Sequence, residues 1–110
     1  MNIISFDLLK DNFSVLNEYF KGIRIDHLVN NAGLLINKTI DKLSVDEFRM
    51  QYEVNVIAVF SLVKSLLNSF VKGSTICNIT SMGGINGSSK FPGLLGYSSS
   101  KGALSILRNV

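Results

Sequence analysis

The fold class that this sequence predicts is α/β, a parallel sheet with helices packed on its two faces. Three observations lead there. Apolar runs at 3–8, 25–29 and 74–80 are continuous rather than alternating, as in strands buried on both sides. Each run is followed by a segment whose apolar residues recur every three or four positions. The runs end in small or polar residues, Asp7-Leu8, Asn30 to Gly33 and Thr80-Ser81, and the carboxyl ends of parallel strands are where such sheets bind ligands.

Taken in order, the first strand is expected near 2–7. Asp11 or Asn12 can cap a helix over 11–21, in which Phe13, Leu16, Tyr19 and Phe20 share a face and Gly22 is the stop. A second strand over 25–30 runs into Asn31-Ala32-Gly33. Ser44 and Glu47 form a capping box that opens the longest helix, 44–70, and Phe48, Tyr52, Val56, Val59, Val63, Leu66 and Phe70 mark its apolar stripe. Gly73 ends that helix, and a third strand follows at 74–80. After a Gly/Ser-rich loop with the single proline, Pro92, a last helix is predicted over 97–109.

Composition narrows the function. The 110 residues are 46% hydrophobic and 17% charged, the balance of one small globular domain or a piece of a larger one. The eleven Lys and Arg, for a net charge of +3, are scattered singly, which argues against a nucleic-acid surface. Cys77, the only cysteine, has no disulfide partner and reads as a buried, inert thiol. The apolar stretch 54–63 is too short to span a bilayer, and residues 1–8 lack the features of a signal peptide. A cytoplasmic protein is expected.

Tyr97 and Lys101 stand four residues apart, so on a helix they share one face. An ammonium one turn from a phenol favours the phenolate, and a phenol so placed can exchange a proton with a reacting oxygen. Alone the pair is weak evidence, because Tyr and Lys meet at this spacing on many solvated helix faces.

Together with three further motifs, the pair resembles the short-chain dehydrogenase/reductase family. Asp26-His-Leu-Val-Asn-Asn-Ala-Gly33 is similar to the signature of that family's fourth strand. Asn55 matches the asparagine of its long helix, Cys77-Asn-Ile-Thr-Ser81 its serine strand, and Tyr97-Ser-Ser-Ser-Lys101 its Tyr-x-x-x-Lys motif. The four occur in order over nearly the whole chain. The resemblance implies a Rossmann-like doubly wound parallel sheet and a nicotinamide cofactor, NAD or NADP, that carries hydride between an alcohol and a carbonyl. Tyr97 would exchange the proton, Lys101 would assist it and hold the nicotinamide ribose, Ser81 would bind the substrate oxygen, and Asn55 would hold a proton-relaying water. Asp7 and Leu8 would contact the adenine, and Asn31, Ala32 and Gly33 would line the cofactor. A homo-oligomer formed through the helices at 44–70 and 97–110 is also implied.

The sequence departs from the family pattern in two ways. The interval from Ser81 to Tyr97 is a few residues longer than in compact members, with the surplus within 85–90. The family's opening Gly-rich βαβ unit and its C-terminal substrate-binding segment are not represented, so 1–110 reads as a partial, incomplete NAD(P)-binding domain with three of the family's strands and three of its helices. Alone it is expected to be inactive. A stand-alone nucleotide-binding or interaction module and a remnant of a decayed gene remain as alternatives, separable by the flanking DNA. Neither the substrate nor the choice between NAD and NADP is legible here.

Overall fold

A computed structural model describes residues 1–87 and 89–107. Helix α1 spans Ser14–Tyr19, strand β1 Ile25–Asn30, helix α2 Val45–Tyr52 and helix α3 Ala58–Ser65; strand β2 spans Phe70–Asn78 and helix α4 Leu95–Ile106. The capping box at α2 forms as its sequence requires. The Ser44 hydroxyl accepts from Glu47 N at 3.0 Å, and the Glu47 carboxylate accepts from Ser44 N at 3.0 Å, so two orphan donors of the first turn are satisfied.

The long helix expected over 44–70 is divided. One π-helical turn, Glu53–Ile57, joins α2 to α3, and a 3₁₀ turn at Leu67–Ser69 leads into β2. Strand β2 therefore starts four residues earlier than the expected 74. Gly73 is not a helix stop. Its φ of +96° falls in an irregularity of the β1–β2 ladder, where the step from Ile25 to His27 faces the step from Phe70 to Thr75. Ser74 fastens this excess chain by accepting from Val71 N at 2.8 Å and donating to Ile25 O at 2.7 Å.

Strands β1 and β2 are parallel, in register from His27↔Thr75 to Asn30↔Asn78. The strand expected near 2–7 does not form. Among the described residues no strand lies beside it, and an extended backbone without a partner leaves its N–H and C=O groups unpaired. The chain turns there instead. Asp7 accepts from Leu9 N through its side chain at 2.8 Å, its carbonyl takes Asp11 N at 2.9 Å, and the Asp11 carboxylate takes Asp7 N at 2.6 Å. The helix expected over 11–21 is correspondingly shorter.

The buried apolar residues Leu16, Ala58, Val59, Val63, Leu66 and Leu104 come from the helices and the turn after α3. On the sheet the alternation of side chains half-buries Leu28, Ile76 and Asn78 and exposes His27, Val29, Thr75 and Cys77. Cys77 is thus exposed, not buried as its apolar setting suggested, because no described element covers that face of β2. The last helix begins two residues before Tyr97; the end expected for it at 109 lies outside the described residues.

Candidate active site at the carboxyl ends of the strands

The two strands end at a pair of asparagines. Asn30 donates to Asn78 at 2.8 Å, and Asn78 donates to Leu107 O at 2.9 Å, so the sheet end is tied to the carboxyl end of α4. Beyond β2, Ser81 accepts from Gly83 N at 3.2 Å and caps a 3₁₀ turn, Met82–Gly84, that lies on α4. The approach is close. A methyl on Gly83 would stand 2.8 Å from Ser98 Oγ and 3.6 Å from Ser81 Oγ, and one on Gly84 would stand 2.5 Å from Gly102 N. Small residues on both sides thus bring the Ser81 turn against α4 at Ser98 and Gly102.

Tyr97 and Lys101 share a face of α4 as their spacing predicts. The Lys101 side chain is only 3% exposed; its Nζ donates to Ile79 O at 2.9 Å and lies 5.8 Å from the centre of the Tyr97 ring, within reach of a cation–π attraction. Among the described residues it has no acidic partner. Burial alone pushes its pKa below the ordinary lysine value. The same ammonium lies over Gly33, where a methyl would be 3.2 Å from Nζ and 3.6 Å from Asn55 Oδ1. Gly33 is therefore the place where bare backbone meets the lysine and the asparagine.

Asn55 lies in the π turn and is wholly buried. Its Oδ1 accepts from Leu34 N at 2.8 Å, while Nδ2 donates to Leu34 O at 3.0 Å and to Ser100 Oγ at 2.8 Å. Ser100 in turn donates to Tyr97 O at 2.8 Å. The amide pairs with the loop after β1 as a neighbouring strand would, and at the same time it holds the tyrosine's helix. π turns recur at functional sites, where one extra residue per turn re-aims a side chain.

Asp7, Leu8 and Gly33 line one groove of about 500 Å³ with Met50 and Val54, whereas Asn31 and Ala32 line a smaller adjoining cavity with Leu8. Tyr97, Lys101 and Ser81 line neither. A cleft of about 680 Å³ lies along the Ser98–Ser99–Gly102 side of α4, walled by Ile40, Ile85, Phe91, Leu94 and Leu95. The sequence reading did not single out Gln51, Ser100 or the facing glycines Gly83, Gly84 and Gly102. The Gly83-Gly84 doublet, opposite a helix rich in Gly and Ser, was the available signal. Among the described residues no group of His, Cys, Asp and Glu could hold a metal ion, and no helix is long and apolar enough to cross a membrane.

Fold and site together define an α/β class, with polar groups gathered where parallel strands give way to helices. The sequence profile of the short chain dehydrogenases matches residues 4–109, and this chain belongs to that family. It is 42% identical over 82 residues to an uncharacterized oxidoreductase of Bacillus subtilis, covering 73% of this chain and 28% of the relative. A crystal structure of a short chain dehydrogenase family protein from Francisella tularensis superposes with a TM-score of 0.85 at 25% identity, over 94% of this chain and 42% of that one. An alcohol dehydrogenase from the archaeon Thermococcus sibiricus, solved with 5-hydroxy-NADP, matches with a TM-score of 0.79 at 27% identity, over 93% of this chain and 44% of that one. The chain thus spans between a quarter and a half of the length of these proteins. Their likeness confirms the Rossmann-like class despite the missing first strand.

Proposed function

We propose that this chain carries the catalytic centre of an NAD- or NADP-dependent oxidoreductase that interconverts an alcohol and a carbonyl. The observation that carries the reading is the Tyr97–Lys101 pair, with the buried Lys101 ammonium fixed between Ile79 O, the tyrosine ring and Gly33. The groove bounded by Asp7, Leu8 and Gly33 suits a dinucleotide: apolar walls and the Asp7 carboxylate for the adenine, and a glycine where backbone must approach closely. Asn31 and Ala32 extend this lining. The nicotinamide, when bound, supplies or accepts the hydride.

In this reading Tyr97 exchanges the hydroxyl proton with the substrate oxygen, and the Ser81 hydroxyl donates a hydrogen bond to the charge developing there. Lys101 holds positive charge beside the phenol and reaches the cofactor's ribose. Asn55 acts through structure, fixing Leu34 and the Ser100–Tyr97 turn, and the relay water that the resemblance implies belongs to the same reading. Residues 1–110 are then a partial NAD(P)-binding domain. This is supported by the share of its relatives' length that the chain spans and by the uncovered face of β1 and β2. A cytoplasmic setting, a small alcohol or carbonyl substrate and a homo-oligomer through the 44–70 and 97–110 helices belong to the same reading.

The test is Tyr97→Phe in the full-length protein, assayed on a panel of secondary alcohols with either cofactor. Turnover should fall by about 10²–10⁴-fold, the loss typical of a missing general acid, with cofactor affinity nearly unchanged. Turnover near wild type would make Tyr97 a packing residue.

A further inference from the structure

Gln51 is wholly buried, and among the described residues its Nε2 has no hydrogen-bond partner. A buried amide donor left unpaired is costly, so its position calls for a compensating role. Its Oε1 accepts from Ile36 N at 3.0 Å, two residues beyond the Leu34 backbone that Asn55 holds on both sides. Gln51 and Asn55 are one turn apart. They face Gly96 and Ser100, one turn apart on α4, and these four residues are all buried. The helices therefore dock at two matched points, Gln51 on Gly96 and Asn55 on Ser100. At the first point the fit depends on glycine. A methyl on Gly96 would fall inside hard contact with Gln51 Nε2, 3.1 Å from Gln51 Cδ and 3.3 Å from the Phe48 ring. The amide is not free to swing aside, since Oε1 is bonded to the loop and the side chain is enclosed.

We propose that Gln51 is a positioning residue for Tyr97: it braces Gly96, the residue immediately before the tyrosine, and ties that brace to the loop leading from Gly33. The inference rests on Tyr97 being the proton donor. Misplacing a reacting group by about 1 Å can cost on the order of 10²-fold in rate, so the brace acts on turnover more than on binding.

A double-mutant cycle in the full-length enzyme tests this. Gly96 lies inside α4, where Gly→Ala is ordinarily neutral or favourable. With Gln51 present, Gly96→Ala should instead lower kcat about tenfold or more, leaving KM and cofactor affinity within about twofold. Gln51→Ala alone should lower kcat through loss of the brace, and in that background Gly96→Ala should cost less than about a further twofold, because the methyl then enters vacated space. A kcat for Gly96→Ala within twofold of wild type overturns the proposal, as does an equal loss in both backgrounds. Should Gly96→Ala alone not accumulate as folded protein, Gln51→Ala and Gln51→Ser must each restore folded enzyme; failure of either to do so also overturns it. Loss of the catalytic reading itself is seen separately, in an active Tyr97→Phe.

Discussion

Lys101 is the residue where structural cost and function meet. Among the described residues its ammonium is buried without an acid, bonded to one backbone carbonyl beside the Tyr97 ring, and desolvation lowers its pKa. In the unfolded chain a lysine titrates at about 10.4. Between the lowered native value and that figure the unfolded state binds more protons, so this residue makes stability rise with pH across the window. The penalty of burying the charge is fully present below it. Lys101→Met should remove the slope: denaturation midpoints of wild type and variant, compared from neutral pH to about 10, should shift in favour of wild type as pH rises. A constant gap would mean that the lysine titrates as if exposed. Turnover of the variant should fall at the same time, because the charge beside Tyr97 is gone. The Tyr97–Lys101 pairing was legible from a spacing of four, since helix geometry is local. That the ammonium would lie over Gly33, more than sixty positions earlier in the chain, was not.

At the scale of elements, local signals were read correctly where they are chemically self-sufficient. The Ser44–Glu47 box needs only four residues and forms as expected. Ser44→Ala should cost about 1 kcal/mol of stability, measured by urea denaturation of the folded enzyme; a change below about 0.3 kcal/mol would show that Glu47, whose carboxylate also pairs with the Lys38 ammonium, holds the turn without it. The division of the long helix is a different matter. The π turn at Glu53–Ile57 has no signature in apolar periodicity, which runs through it unbroken. It is fixed by Asn55 reaching Leu34 and Ser100, partners distant in sequence. Gly73 shows the same limit. As a glycine after an apolar helix it reads as a stop, yet its positive φ serves the β1–β2 irregularity, which exists only once the strands pair.

For the molecule as a whole, the strands and helices of the described residues leave much apolar surface uncovered. Val29 is 58% exposed on the open face of β1, and Phe60 and Ile106 are exposed on the helices. The radius of gyration, 15.3 Å, exceeds the roughly 13 Å of a compact domain of this length. Apolar surface of this kind is what further layers or a second subunit cover. The 110-residue chain by itself should therefore bind the dye ANS and melt without a sharp transition, followed by fluorescence and near-UV circular dichroism. A cooperative melt with no dye binding would show that this sheet is self-sufficient, and would weigh against reading the chain as part of a larger domain.

The sequence by itself determined the family, two of the three expected strands, the capped start of α2 and the order of the motif residues. Each of these depends on periodicity, on turn and cap chemistry, or on spacing within a few residues. Tertiary structure decided the rest. The run at 3–8 has strand composition but no ladder partner among the described residues, so it turns on Asp7 and Asp11. Cys77 sits in an apolar run and is nonetheless exposed, because burial is a property of what packs against a face and not of the residue on it. Gln51 reads as one more polar residue of a long helix. Only the close approach of Gly96, forty-five positions away, makes it a brace for the tyrosine.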